Sequence, residues 1–191
     1  MLHDVAMWNL TGFAKIQDTC ERRFPPASTG KTSTISTFKL LHALICYNRP
    51  KHAIEIGCGD GWSTAWMLDA LDSIGGGHID AFEPDTALAV HAGTLLSSMT
   101  VNRSATWKIH AIEVEKHVGR ILADFVFLDL DPKENYSTAM LNIEIERDGL
   151  LVAHDWKIAS PVRDFADELD QMCWDVVRLA GERGMVIARR R

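Results

Sequence analysis

The chain has 191 residues, a length that one domain fills and that leaves little room for a second core. With 47% apolar and 24% charged residues it has the composition of a folded globular protein and not of a disordered one. The 26 acidic against 20 basic side chains give a formal charge of −6, which argues against a broad phosphate-backbone footprint, so no nucleic-acid partner is expected.

No apolar run approaches the roughly 20 residues of a bilayer span, and the N-terminus lacks a charged stretch leading into an apolar one, so no membrane partner is expected. Cys20, Cys46, Cys58 and Cys173 are isolated, with no C-x-x-C pair and no Cys/His cluster at zinc spacing. A cytoplasmic protein without disulfides or structural metal is the expectation.

In chain order, residues 1–50 alternate helix-like stretches with a breaker at Phe24-Pro25-Pro26. Thr32 to Cys46 opens with hydroxyl side chains that can cap a helix and continues with Ile35, Phe38, Leu41 and Ile45 at helical spacing. Gly30-Lys31-Thr32 is not a phosphate-binding loop, because Pro25 stands where the first glycine would be needed. From residue 51 to 191 short apolar runs alternate with amphipathic stretches. Strands are predicted at His52–Ile56, His78–Phe82, Thr106–His110, Phe125–Leu130 and Leu150–Ala153. Helices are predicted at Ser63–Asp72, Asp85–Ser98, Glu115–Ile121, Lys133–Arg147 and Pro161–Leu169. Such alternation implies an α/β fold with a doubly wound, mostly parallel sheet. Trp174–Leu179 and Met185–Arg189 are joined by the short Ala180-Gly-Glu-Arg-Gly184, which suits a hairpin, so the last strand should be reversed.

The most informative stretch is His52-Ala-Ile-Glu-Ile-Gly-Cys-Gly-Asp-Gly-Trp-Ser63: an apolar strand, then glycines at 57, 59 and 61, then a helix start. Glycine permits positive-φ turns and a close approach of ligand to main chain, and the helix start offers unpaired N–H groups. The spacing G-x-G-x-G, with Glu55 two positions ahead, differs from the G-x-G-x-x-G of dinucleotide sites. Glu83 follows the next strand, where a carboxylate can accept hydrogen bonds from ribose hydroxyls. Glu83 and Asp85 also suit the first turn of a helix as acids favoured by its dipole.

These residues resemble the class I S-adenosylmethionine-dependent methyltransferases over residues 51–156. The resemblance implies a Rossmann-like, seven-stranded sheet with a reversed last strand. Glu55, Gly57, Gly59, Asp60, Gly61 and Ser63 would surround the methionine part of the cofactor, Glu83 would hold its ribose, and Glu113 would stand near the adenine. Residues 1–50 would then cover the substrate side of the domain formed by 51–191.

Asp129 and Asp131 end the fourth strand, and His154 and Asp155 end the fifth. The carboxyl ends of parallel strands line the crevice where open α/β sheets bind ligands. Acids gathered there can hold Mg²⁺ or another divalent cation, which would bind a substrate hydroxyl and lower its pKa. The alternative is that Asp129 orders the cofactor while the others cap helices and shape loops. The pattern also resembles the small cation-dependent O-methyltransferases. That resemblance implies Asp129 and Asp155 as metal ligands, with Trp156 where the third would stand, and Lys133 near the reacting hydroxyl. His154, next to Asp155, is the best placed histidine for a general base, since imidazole changes protonation near neutrality.

The expected function is transfer of a methyl group from S-adenosylmethionine to a small-molecule acceptor, foremost a hydroxyl. The partners are that small molecule and a second copy of the chain in a homodimer. The competing reading is a module that binds S-adenosylmethionine or S-adenosylhomocysteine without turnover.

Overall fold

The computed structural model describes residues 35–99, 104–131, 135–181 and 183–191. Helix α1 (Ile35–Asn48) precedes strand β1 (His52–Ile56), followed by α2 (Trp62–Ser73), β2 (Gly77–Phe82), α3 (Thr86–Met99) and β3 (Ala105–His110). A short 3₁₀ turn (Val114–Lys116) then leads to β4 (Ile121–Leu128), α4 (Tyr136–Ala139), β5 (Ile143–His154), α5 (Ser160–Asp170), β6 (Trp174–Leu179) and β7 (Met185–Arg190). The seven strands lie in the order β3-β2-β1-β4-β5-β7-β6, parallel except for β7, which runs against both neighbours. The predicted seven-stranded, mostly parallel sheet with a reversed last strand is therefore the observed fold. No described helix is long and apolar enough to cross a membrane.

Burial explains which helices formed. On one face α1, α2 and α3 pack Leu41, Trp66, Leu68, Ala92 and Leu96 onto Ala53, Ile79, Phe125 and Phe127. Trp66 is fully buried, with its ring 6.2 Å from that of Phe38, so the N-terminal helix is anchored to the domain by aromatic packing. The other face is covered by α4 and α5, whose Tyr136, Val162, Phe165 and Leu169 meet Ile54, Val126, Leu128 and Leu151.

Two predicted helices are corrected. Instead of a helix over Glu115–Ile121 there is only the 3₁₀ turn, and Ile121 already begins β4. With Gly119 at φ 97° and Val118 exposed, this segment offers no apolar stripe to hold a helix on the sheet. Among the described residues of the helix predicted over Lys133–Arg147, Tyr136–Ala139 is helical, started by Asn135, whose side chain accepts the Thr138 N–H at 3.1 Å. Ile143-Glu-Ile-Glu alternates with the period of a strand and extends β5 to pair with Ile121–Ala123 of β4. The other boundaries fall within a few residues of the prediction.

Candidate functional site

Four of the parallel strands, β1, β2, β4 and β5, deliver an acid to the same edge of the sheet. β1 carries Glu55 in its last turn of pleat, β2 ends just before Glu83, β4 just before Asp129 and β5 just before Asp155. The loop after β1 is shaped by glycine: Gly57, Gly59 and Gly61 have φ of 85°, 49° and 86°. A Cβ on Gly57 would collide with the Asp129 carbonyl, and one on Gly61 would lie 2.8 Å from the Ala92 Cβ. These two glycines let the loop pack against β4 and α3. A Cβ on Gly59 would meet nothing within 4 Å, so its side of the loop faces open space where a ligand can approach the main chain.

Glu83 braces this loop. Its Oε2 accepts the Gly59 N–H at 2.8 Å and its Oε1 accepts the Asp85 N–H at 3.0 Å. The helix-capping role falls to Asp85, whose Oδ1 accepts from Ala87 and Leu88 at the start of α3. Glu83 is thus not a cap, and each of its oxygens retains a second lone pair.

Glu55 is fully buried. Thr64 Oγ1 donates to its Oε2 at 2.5 Å, while Oε1 has no hydrogen-bond partner among the described residues. Burial pushes the carboxyl up to about 7; the nearby Ser63 and Thr64 hydroxyls oppose this, and the charges of Asp129 and Glu83 add to it. An unpartnered buried acid at a ligand-binding edge favours a cationic or hydrogen-bond-donating group beside it. Cys58, in the same loop, has its thiol pushed up by burial and is unreactive. Asp60 Oδ1 lies 3.4 Å from His91 Nδ1, and Glu113, after β3, is half-exposed and pairs with Lys116 at 3.1 Å. Lys133 lies outside the described residues.

On the other side of the edge, His154 Nδ1 is 2.9 Å from Asp129 Oδ1 and 3.0 Å from Asp155 Oδ1. Two carboxylates around one nitrogen fix a proton on Nδ1. The other ring nitrogen, Nε2, lies 3.3 Å from the hydroxyl of Thr37 on α1. The order hydroxyl, imidazole, carboxylate is one in which imidazole can take a proton at Nε2 while the acid steadies Nδ1–H. Asp155 holds a left-handed backbone, φ 69°, immediately after β5, and is almost fully buried. Arg183, from the β6–β7 connection, donates to both of its oxygens, Nε to Oδ1 and Nη2 to Oδ2, each at 2.6 Å.

Asp129, His154 and Asp155 bring possible ligand atoms within 4.8 Å of one another, a spacing a cation could bridge. The bonds already made oppose it. A hard cation would have to displace the Arg183 guanidinium from Asp155 and the proton from His154 Nδ1. The divalent cation expected at Asp129 and Asp155 could be held by these three residues only through exchange of those bonds; as arranged, the positive charge beside Asp155 is the Arg183 guanidinium. Sequence reasoning passed over Arg183, Thr37 and Thr64. Arg183 lies in a turn with no spacing signal, and Thr37 and Thr64 carry hydroxyls that look like ordinary helix residues.

Comparison with curated proteins finds no match. Among solved structures the chain is similar to an S-adenosylhomocysteine-bound methyltransferase from Podospora anserina, with 15% identity, 94% of this chain and 87% of that one covered, and a TM-score of 0.69. It is also similar to an O-methyltransferase from Bacillus cereus in complex with S-adenosylhomocysteine (16% identity, 98% and 94% covered, TM-score 0.65). A third is the Streptomyces achromogenes O-methyltransferase involved in tomaymycin synthesis, in complex with S-adenosylmethionine (19% identity, 93% and 88% covered, TM-score 0.64). At these identities the likeness is one of fold. A family model for a methyltransferase domain matches residues 54–156, more than half of the 191 residues, from the middle of β1 through Trp156. The chain belongs to the methyltransferase domain family.

Proposed function

We propose that this protein transfers the methyl group of S-adenosylmethionine to a hydroxyl oxygen of a small molecule. The observation that carries the reading is the buried Glu55 with its unpartnered oxygen, next to a glycine loop open at Gly59 and braced by Glu83. S-adenosylmethionine is cationic at sulfur and at its amino group. The acids Glu55, Asp60, Glu83 and Asp129 around this edge favour such a ligand and would repel the pyrophosphate of a dinucleotide. Two of the structural neighbours were solved with S-adenosylhomocysteine and one with S-adenosylmethionine, which supports the same choice.

When bound, the cofactor supplies a methyl group already activated on a sulfonium, so the reaction is an in-line displacement. The chain has then to bind, orient and remove one proton. Glu55 would accept from the cofactor's amino group through Oε1, and Glu83, which holds Gly59 in place, would accept from its ribose hydroxyls. His154 takes the acceptor proton at Nε2, with Asp129 and Asp155 steadying the positive imidazole that results. The Thr37 hydroxyl marks the direction from which an acceptor hydroxyl reaches Nε2, so α1 lies on the acceptor side. Arg183 donates to both oxygens of Asp155 and holds it in place. The proposed place of action is the cytoplasm, in keeping with the free thiols of Cys46, Cys58 and Cys173.

Calorimetric titration with S-adenosylhomocysteine and with NAD in separate runs, followed by methyl transfer to a panel of catechols and simple alcohols, tests the reading. Binding of S-adenosylhomocysteine together with methylated product supports it. Binding without turnover on every acceptor would favour the non-catalytic module, and binding of NAD alone would overturn the cofactor assignment.

A further inference from the structure

Between β3 and β4 the described residues form only a short 3₁₀ turn, and the sheet face on that side carries imidazoles. In register across β1, β2 and β3, His52 stands beside His78, His78 beside Thr106, and Phe82 beside His110. Asp80, two residues after His78, lies among them. His52 Nε2 is 2.8 Å and His78 Nε2 is 3.5 Å from the same oxygen, Asp80 Oδ2. This face belongs to the amino-terminal half of the strands, away from the glycine loop, and the reaction proposed above makes no use of it.

The hydrogen bonds fix which ring nitrogens carry protons. His52 Nδ1 is 2.7 Å from the Leu122 carbonyl, which can only accept, so Nδ1 is the protonated nitrogen and the neutral ring presents a lone pair at Nε2. The Thr106 hydroxyl donates to the Gly77 carbonyl at 3.4 Å and therefore accepts from His78 Nδ1 at 2.8 Å, which again leaves a lone pair at Nε2. His110 Nε2 donates to the other carboxylate oxygen, Asp80 Oδ1, at 2.6 Å. His52 Nε2 and His78 Nε2 thus converge on one carboxylate oxygen. The positive charge this arrangement calls for is either a second proton on His52, donated to Asp80 in a hydrogen bond, or a metal ion taking that proton's place.

We propose that His52, His78 and Asp80 form a binding site for a late first-row divalent metal ion of the zinc type. The donor set, two imidazole nitrogens and one carboxylate oxygen, is that of a three-ligand zinc site with its fourth position open to water. The three ligand atoms lie within 4.8 Å of one another. Tetrahedral zinc, with bonds of about 2.0–2.1 Å, spaces its ligand atoms by roughly 3.3 Å. The His78–Asp80 separation already matches, and the His52–Asp80 separation needs about half an ångström more. Leu122, Thr106 and His110 are the outer partners that orient the two imidazoles and the carboxylate, as such partners do around zinc. The side chains of His52 and His78 are partly exposed, which gives the ion a way in. Bound there, the ion would join β1 to β2 and, through Thr106 and His110, to the edge strand β3.

The test uses the full chain without an affinity tag, stripped with chelator at neutral pH, titrated calorimetrically with Zn²⁺ and by visible absorption with Co²⁺. The expected result is one equivalent of Zn²⁺, with tetrahedral Co²⁺ absorption. His78→Gln, at a partly exposed position, should weaken binding by more than 100-fold. Thr106→Val, which removes only an orienting hydroxyl, should weaken it about 10–100-fold. Asp155→Asn should bind Zn²⁺ as the parent does, which separates this site from the cluster at the other end of the strands. Absence of Zn²⁺ binding would overturn the proposal and leave a proton on His52 as the positive species, as would Zn²⁺ binding that survives His78→Gln or is lost in Asp155→Asn.

Discussion

Arg183 grips Asp155 through both carboxylate oxygens, at 2.6 Å each, although 28 residues and the whole of α5 and β6 separate them in sequence. Asp155 is buried, whereas the Arg183 side chain is about one-third exposed, at 37%. Loss of the arginine would leave a buried carboxylate without its cation. Arg183→Leu should therefore cost about 2 kcal/mol in denaturant unfolding, below the value for a fully buried pair because water reaches the arginine. The same variant frees Asp155 as a ligand. Methyl transfer should be unaffected by EDTA in the parent and become sensitive to EDTA and Mg²⁺ in Arg183→Leu. Loss of the parent's activity in EDTA would refute the metal-free mechanism.

His154→Asn keeps a donor toward Asp129 and removes the nitrogen at the Nε2 position. Turnover should fall by about 10²–10⁴-fold, the usual size of a general-base contribution. Affinity for S-adenosylhomocysteine, measured by calorimetry, should stay within a few-fold. Equal loss of both would indicate a structural histidine.

Glu55→Gln separates stability from binding. The folded carboxyl ionises near 7, above its ordinary 4.5. The folded state therefore holds its proton where the unfolded chain has released it. This contribution to stability is complete below about pH 4.5 and is lost as pH rises through 7. Above pH 7 the parent bears the cost of a buried charge that glutamine lacks, so the variant should be more stable there, by on the order of 2–3 kcal/mol, with no difference near pH 4. At pH 8 it should nonetheless bind S-adenosylmethionine more weakly. Thermal melts at the two pH values read the first effect, and calorimetry the second.

Alanine at the three glycines should divide them by role. Gly57→Ala and Gly61→Ala force a Cβ into Asp129 and Ala92 and should destabilise the fold by about 2 kcal/mol or more. Gly59→Ala meets no neighbour and should cost only about 1 kcal/mol, for its positive φ, while weakening cofactor binding. Full cofactor affinity in Gly59→Ala would remove the loop from the binding site.

Glu83→Ala should weaken S-adenosylhomocysteine by about 1.5–3 kcal/mol without unfolding the protein. Part of that loss comes through Gly59, whose N–H would lose its acceptor. Glu83→Gln, which can still accept that bond, should recover part of the affinity, and an unchanged affinity in Glu83→Ala would sink the ribose assignment.

Local pattern determined much of this protein. Alternating apolar runs placed the strands, the glycines at 57, 59 and 61 marked the turn at the end of β1, and the short Gly-containing connection after Leu179 marked the reversal. Each of these depends on neighbours a few residues away, so the order of residues alone carries it. The strand period of Ile143–Glu146 was also in view, but helix-forming residues upstream hid it, and pairing with Ile121–Ala123 decided the matter. What only the tertiary structure decided was partnership at long range. Glu83 was compatible with capping α3 or with reaching across, and its 2.8 Å bond to Gly59 settled which. Asp155 was equally good as a metal ligand or as an ion-pair partner in the sequence, and the β6–β7 turn brought Arg183 to both of its oxygens. His52, His78 and Asp80 had no spacing to connect them, because strand register places residues side by side that lie far apart in the chain.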